Sequence, residues 1–168
     1  ASTLLMAKAF PDSEFFGFDY HDKSIEAARE SARKQGMSDR VSFELAKAKE
    51  FPGREYDFVT VFDCLHDMGD PIGAAAHVRQ SLAKDGTWMI VEPYANDQFK
   101  DNLTPVGRVM YSFSTLLCTP CSRSQEVGLC LGAQAGEAQI RKVVTSAGFS
   151  RFRRAAETPF NIVYEARP

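Results

Sequence analysis

Hydrophobic positions change period several times along the chain, and each change marks an element. "STLLMAKAF" has helical spacing and ends at Pro11. In the apolar run "FFGFDY" that follows, Phe15, Phe16 and Phe18 read as a strand buried on both faces, and Gly17 leaves room for a close approach. Asp22 caps a predicted helix through Gln35, with Ile25, Ala28 and Ala32 on one face and the pairs Glu26/Arg29 and Glu30/Lys34 on the other; Gly36 ends it. From Arg40 the period falls to two. "RVSFEL" puts Val41, Phe43 and Leu45 on one side, and "YDFVTVFD", Tyr56 to Asp63, reads as a fully buried strand. Asp70 before Pro71 is an N-cap signal, and Ile72, Ala75, Val78 and Leu82 form the stripe of a helix expected to stop at Gly86. "TWMIVEP" is the next strand. "GEAQIRKVVTSAGF" is a helix with Ile140, Val143, Val144 and Ala147 inward, and "SRFRRAAE" and "FNIVYEAR" are strands joined by a very short turn at Thr158 and Pro159. Between residues 96 and 132 the period is lost, although the stretch is too apolar for a plain linker.

Alternating helices and buried strands predict an α/β fold with a mostly parallel sheet and helices on both faces, and the tight closing turn makes an antiparallel C-terminal hairpin. In such a sheet ligands sit beyond the carboxyl ends of the strands. The tips Asp19 to His21, Ala46 to Ala48, Asp63 to His66 and Glu92 to Tyr94 are therefore expected to line one crevice.

Composition narrows the class of function. At 168 residues, 44% hydrophobic and 25% charged, the chain is long enough for a single domain with a substantial core. A net charge of -2 provides no field for nucleic acid or an acidic membrane, and "RFRRAA" at 151 to 156 reads as the solvated side of a strand rather than a phosphate site. The longest apolar stretches fall well short of the roughly twenty residues that span a bilayer, and the expected compartment is cytoplasmic. The four cysteines stand in apolar contexts, so "CTPC" at 118 to 121 reads as ordinary thiols, with no metal expected.

The segments "GFDYHDKSIEAAR", "FDCLHDMGDP", "LAKDGTWMIVEP" and the terminal hairpin resemble the class I S-adenosylmethionine-dependent methyltransferases, over nearly the whole chain. The resemblance implies a Rossmann-like fold, S-adenosylmethionine as cofactor and a small-molecule acceptor. It places Asp19 on the ribose hydroxyls, since a carboxylate offers two acceptor oxygens to a vicinal diol, and Tyr20 beside the adenine. Asp63 and Cys64, at the tip beside the methyl donor, complete the implied cofactor contacts. The alternative for Asp19 is a turn or capping aspartate. Methyl transfer is an in-line displacement needing a base only when the acceptor must lose a proton. His66 is the candidate base, with Asp63 and Asp67 able to orient it or raise its pKa; the alternative is a histidine hydrogen-bonded within its loop. Met110, Tyr111 and Phe113, within the apolar 96 to 132 insertion, are expected to form a lid or wall over a partly apolar acceptor, or else an interface.

Two departures from the family pattern stand out. No strand with a glycine-rich turn precedes "ASTLLMAKAF", so the chain is expected to be an N-terminally incomplete single domain, inactive alone. The family's first strand lies between "FFGFDY" and "DFVTVFD", and its loss is expected to leave a central gap and two unpaired strand edges, so that the chain pairs with another as a homo-oligomer, collapses or rearranges. At the third-strand tip, where relatives carry an acid toward the adenine amino group, Lys47 cannot accept that bond, leaving the backbone of Ala46, Lys47 and Ala48 and apolar contact from Phe51. Two other classes remain: an inactive methyltransferase-like module for dimerisation or regulation, of which Lys47 would be the trace, and a nicotinamide-dependent reductase, which also ends its second strand in an acid on the ribose. The reductase is disfavoured by the lack of a Tyr followed four residues later by Lys after the fourth or fifth strand, and by the reversed final hairpin.

Overall fold

The computed structural model describes residues 2–168, which divide into two compact units, one up to Pro52 and one from Gly53 to Pro168. In the first unit, helix α1 (Ser2–Ala9) and helix α2 (Asp22–Lys34) pack on a two-stranded parallel sheet of β1 (Phe15–Asp19) and β2 (Val41–Leu45). Leu4, Ala7, Ile25, Ala32, Met37, Val41 and Phe43 form its core, with Phe15 and Ala28 packed against it. The cap of α2 lies one residue before the expected position: His21 is the N-cap, and its Nδ1 accepts from the Ser24 amide. Gln35 and Gly36, the latter at φ 64°, end the helix as expected. Arg29 gives its Nε to the Phe43 carbonyl at 2.9 Å, tying α2 to β2. What comes close to Gly17 is a side chain: a Cβ there would collide with the Phe43 ring.

In the second unit, β3 (Tyr56–Phe62), β4 (Leu82–Pro93), β5 (Arg151–Glu157) and β6 (Asn161–Arg167) form one sheet in the order β3-β4-β6-β5. The β3 and β4 strands are parallel, and β6 runs antiparallel to both β4 and β5. Every strand but the last thus runs the same way within its sheet. Helices α3 (Pro71–Ser81) and α6 (Gly136–Ser146) pack together, and α6 lies on β5. Trp88, Ile90, Ile140, Val144, Ile162 and Tyr164 are among the most deeply buried side chains, with Phe149 against Trp88 and Phe152 stacked on Tyr164. As expected, β5 is largely exposed, its Arg153 and Arg154 paired with Glu165 and with Glu137 and Glu157.

Several expectations need correction: in the first unit Phe15, Phe16 and Phe18 are half-buried rather than buried on both faces, and Leu45, expected on one side with Val41 and Phe43, is exposed. The helix from Pro71 ends at Ser81, not at Gly86, because the Ser81 hydroxyl bonds back to the His77 carbonyl and Leu82 is drawn into pairing with Tyr56. The expected turn survives as an irregularity inside β4, where the partner of β3 jumps from Leu82 to Thr87. Within α3 the buried residues are Pro71, Ala74, Ala75, Val78 and Ser81, while Ile72 faces outward. Strand β3 is not buried throughout: Phe58 and Phe62 are exposed, as suits the terminal strand of a sheet. Finally, the 96–132 stretch is largely helical, with a 3-10 turn at Phe99–Asn102, helix α4 (Pro105–Phe113), a wider π-type turn at Ser114–Cys118 and the short helix α5 (Thr119–Arg123). Its exposed Val109, Phe113, Leu116 and Leu117 obscured the helical period.

Candidate active site

In the first unit the tips of the two parallel strands stand side by side, the Ala46 amide donating to the Asp19 carbonyl at 3.0 Å. Asp19 is exposed. Its Oδ1 accepts from the His21 amide at 2.9 Å, while Oδ2 takes no protein donor among the described residues. The carboxylate thus keeps acceptor capacity pointing outward, the chemistry a vicinal diol needs. Tyr20 beside it is 75% exposed. Lys47 is exposed and reaches Glu50 at 3.5 Å, and Ala46 and Ala48 are half-buried. Phe51 is buried with its ring stacked on Phe18 at 5.1 Å, so it belongs to the packing under this tip rather than to an open adenine platform.

In the second unit the β3 tip is wired tightly. Asp63 sits at φ 45°, an uncommon conformation for a non-glycine residue, with its amide on the Val91 carbonyl and its Oδ1 accepting from Asn161 Nδ2 at 2.8 Å. Burial raises the Asp63 carboxyl despite the nearby His66 charge and the Asn161 bond. Burial also pushes the Cys64 thiol up to about 12, helped by the Glu92 charge. The Cys64 thiol therefore resists ionisation at the strand end.

His66 is 3% exposed. Its Nδ1 lies 2.5 Å from Glu92 Oε2, and Glu92 Oε1 accepts from the Leu65 amide at 3.0 Å, so a carboxylate from the end of β4 fixes the imidazole by one edge. The opposite nitrogen, Nε2, faces Asp67 Oδ1 at 3.2 Å, a buried oxygen with no well-aligned hydrogen bond. Burial alone lowers the His66 pKa, but the Glu92 hydrogen bond and the charges of Glu92, Asp67 and Asp63 outweigh it, and the net shift is upward. Glu92 is also raised, by burial, against the pull of His66. The pair is a buried unit that holds a proton on or beside Nδ1.

The residue that orients His66 is thus Glu92. Sequence reading put it at a strand tip but gave it no role, and assigned orientation or a raised pKa to Asp63 and Asp67, whose charges do raise His66 while Glu92 holds its Nδ1. The signal available was its isolation, as a lone acid ending the apolar run "TWMIVE".

Cys118, delivered by the π-type turn, brings its Sγ within 4.8 Å of ligand atoms of His66 and Asp67. These three could approach a soft divalent cation, but Cys118 must first yield a proton that burial and Asp67 push up to about 11, and His66 Nδ1 is already engaged by Glu92. Of the predicted acceptor residues, Tyr111 lines an open apolar groove of about 780 Å³ together with Phe99, Leu103, Arg108, Thr115 and Leu116, its ring 5.5 Å from that of Phe99. Met110 and Phe113 lie on the same helix outside the groove lining.

Residues 1–148 match the family described as a methyltransferase domain. The chain belongs to that family. Its members of class I take S-adenosylmethionine as methyl donor, and the α/β fold with a reversed C-terminal strand is shared with solved structures of such proteins. An O-methyltransferase family protein from Burkholderia thailandensis is 20% identical with a TM-score of 0.72, and the match covers 96% of this chain and 46% of that one. PigF with SAH is 16% identical with a TM-score of 0.73, covering 98% and 46%. An O-methyltransferase family 2 protein from Planctomyces limnophilus, in complex with apigenin, is 17% identical with a TM-score of 0.71, covering 99% and 47%. The methyltransferase chain described here thus spans less than half the length of these relatives. No curated protein matches it in sequence. Among the described residues no helix is long and apolar enough to cross a membrane.

Proposed function

We propose that this methyltransferase domain transfers a methyl group to an oxygen or nitrogen of a small, partly apolar acceptor, with His66 as general base. The observation that carries the reading is the buried His66–Glu92 pair at 2.5 Å, whose other imidazole nitrogen is left facing Asp67. Asp19 binds the cofactor ribose through its outward oxygen, with Tyr20 and the backbone of Ala46, Lys47 and Ala48 at the nucleoside, and Asp63 and Cys64 contact the cofactor at the β3 tip. When bound, S-adenosylmethionine supplies an electrophilic methyl group. The chain's residues handle the proton: the acceptor hydroxyl or amine gives it to His66 Nε2, the Nδ1–H···Glu92 bond strengthens as the imidazole becomes charged, and Asp67, about one-third exposed, lies on the side from which the acceptor arrives. The groove beside Tyr111 suits an apolar or aromatic acceptor body.

The test uses the full-length protein with methyl-labelled S-adenosylmethionine and a panel of phenols, hydroxylated polycycles and aromatic amines. Label in a small-molecule product, lost in His66→Ala with cofactor binding kept, is the expected result. Calorimetry with S-adenosylhomocysteine separates the alternative of an inactive module for dimerisation or regulation, for which exposed Lys47 at the β2 tip is the motivating feature: no heat and no label transfer support that alternative.

A further inference from the structure

Beyond its bonds to Glu92, the loop that carries His66 is fastened by one neighbouring stretch of chain, residues 122–132. The His66 carbonyl accepts from the Gly132 amide at 3.3 Å, and the Gly69 carbonyl accepts from the Leu129 amide at 2.9 Å. Between them two side chains do the fastening. Ser122, fully buried, donates its hydroxyl to the Met68 carbonyl at 2.9 Å while accepting from the Cys130 amide at 3.1 Å. Gln125 donates Nε2 to the Asp67 carbonyl at 2.9 Å and accepts from the Gly69 amide at 3.0 Å through Oε1. Three consecutive loop residues thus have backbone groups taken by Ser122 and Gln125.

Gly69 gives an independent sign that the fit is specific. A Cβ added there would lie 2.5 Å from Gln125 Cβ and 2.6 Å from the Glu126 carbonyl oxygen, so the loop comes as near to this stretch as a bare backbone allows. Gln125 is itself exposed. Its amide is nevertheless committed to the backbone on both sides, since Nε2 also reaches the Cys121 carbonyl at 3.2 Å.

We propose that Ser122 and Gln125 are positioning residues for the general base: they set the backbone of residues 67–69 and thereby the placement of His66 and Asp67 toward the acceptor. The proposal rests on the reading of His66 given above and adds a role for the insertion beyond walling the acceptor. A backbone path that wanders by even a fraction of an ångström moves Nε2 relative to the acceptor while leaving the cofactor side untouched. The chemical step is the quantity sensitive to this, because misplacement of about 1 Å can cost on the order of a hundredfold in rate.

The experiment is a double-mutant cycle in the full-length enzyme. Gln125→Ala and Ser122→Ala are each measured alone and combined with His66→Ala, with kcat, acceptor KM, cofactor affinity and thermal stability recorded for every protein. The expected result is a fall in kcat of about tenfold for Gln125→Ala with KM and cofactor affinity kept, and no further loss when His66 is already absent. The exposed Gln125 keeps the test open if the buried Ser122 variant fails to fold. An unchanged kcat, or the same tenfold loss in the His66→Ala background, overturns the proposal. Should His66→Ala itself cost nothing, the base assignment falls, and the clamp is judged by proton NMR of the His66 Nδ1–H engaged by Glu92. A resonance displaced or lost in Gln125→Ala supports the clamp, and an unaltered one overturns it.

Discussion

Asp19 ends one parallel strand and His66 follows another, yet the molecule treats them oppositely. The Asp19 carboxylate is exposed, takes one backbone amide and keeps an oxygen open. His66 is sealed from solvent, gripped by Glu92 on one nitrogen, faced by Asp67 on the other, and rooted in a loop bonded to residues 122–132. The difference teaches where preorganisation is needed. A group that grips a soluble ligand gains from being open and can complete its hydrogen bonds when the ligand arrives. A group that must take a proton at one moment gains from having its tautomer and direction fixed beforehand. The strain at Asp63 and the raised thiol of Cys64 lie on the second, rigid side as well.

The comparison breaks most visibly at Glu92. Glu92→Ala leaves the buried His66 Nδ1 and the Leu65 amide without their acceptor, and is expected to cost about 3–5 kcal/mol of stability by chemical denaturation. The pH dependence sharpens this. Because the folded-state pKa of His66 is raised above its unfolded value of about 6.5, its stabilising contribution is complete below that value and is lost as pH rises through the raised one. The gap between native protein and Glu92→Ala therefore narrows as pH climbs through that window. On the open side, Asp19→Ala is expected to leave the fold intact and weaken cofactor binding by about 1.5–3 kcal/mol, roughly ten- to a hundredfold in Kd by calorimetry. An unchanged Kd removes Asp19 from the site. The smallest effect is assigned to Lys47→Ala, where only an exposed contact with Glu50 is lost: less than about 1 kcal/mol of stability by thermal melting.

Much of the fold around these two residues was legible beforehand, and what was missed has physical reasons. The alternation of helices and strands, the reversed β6 and the placing of Asp19 and His66 at strand ends follow from period changes and the short turn at Thr158 and Pro159, which are local signals. The burial of β3 was misjudged because an apolar run cannot reveal that its strand ends a sheet. The helices within 96–132 were missed because exposed Leu116, Leu117 and Phe113 filled the polar face whose periodicity identifies a helix. The Glu92 partnership spans 26 residues and depends on the pairing of β3 with β4, so no local pattern carries it. The same holds for Gln125, whose bonds to the Asp67 and Gly69 backbone bridge more than fifty residues.

The most direct measurement is the pH dependence of kcat at saturating cofactor and acceptor, taken on the native full-length enzyme and on Glu92→Gln. A base at His66 must be unprotonated before it can act, so the rate rises with pH along a limb governed by that imidazole. The account predicts a native limb centred above the ordinary histidine value of about 6.5 and a limb displaced toward lower pH in Glu92→Gln, since the negative charge that holds the proton is gone. A limb at the same pH in both proteins, or a rate indifferent to pH, contradicts it.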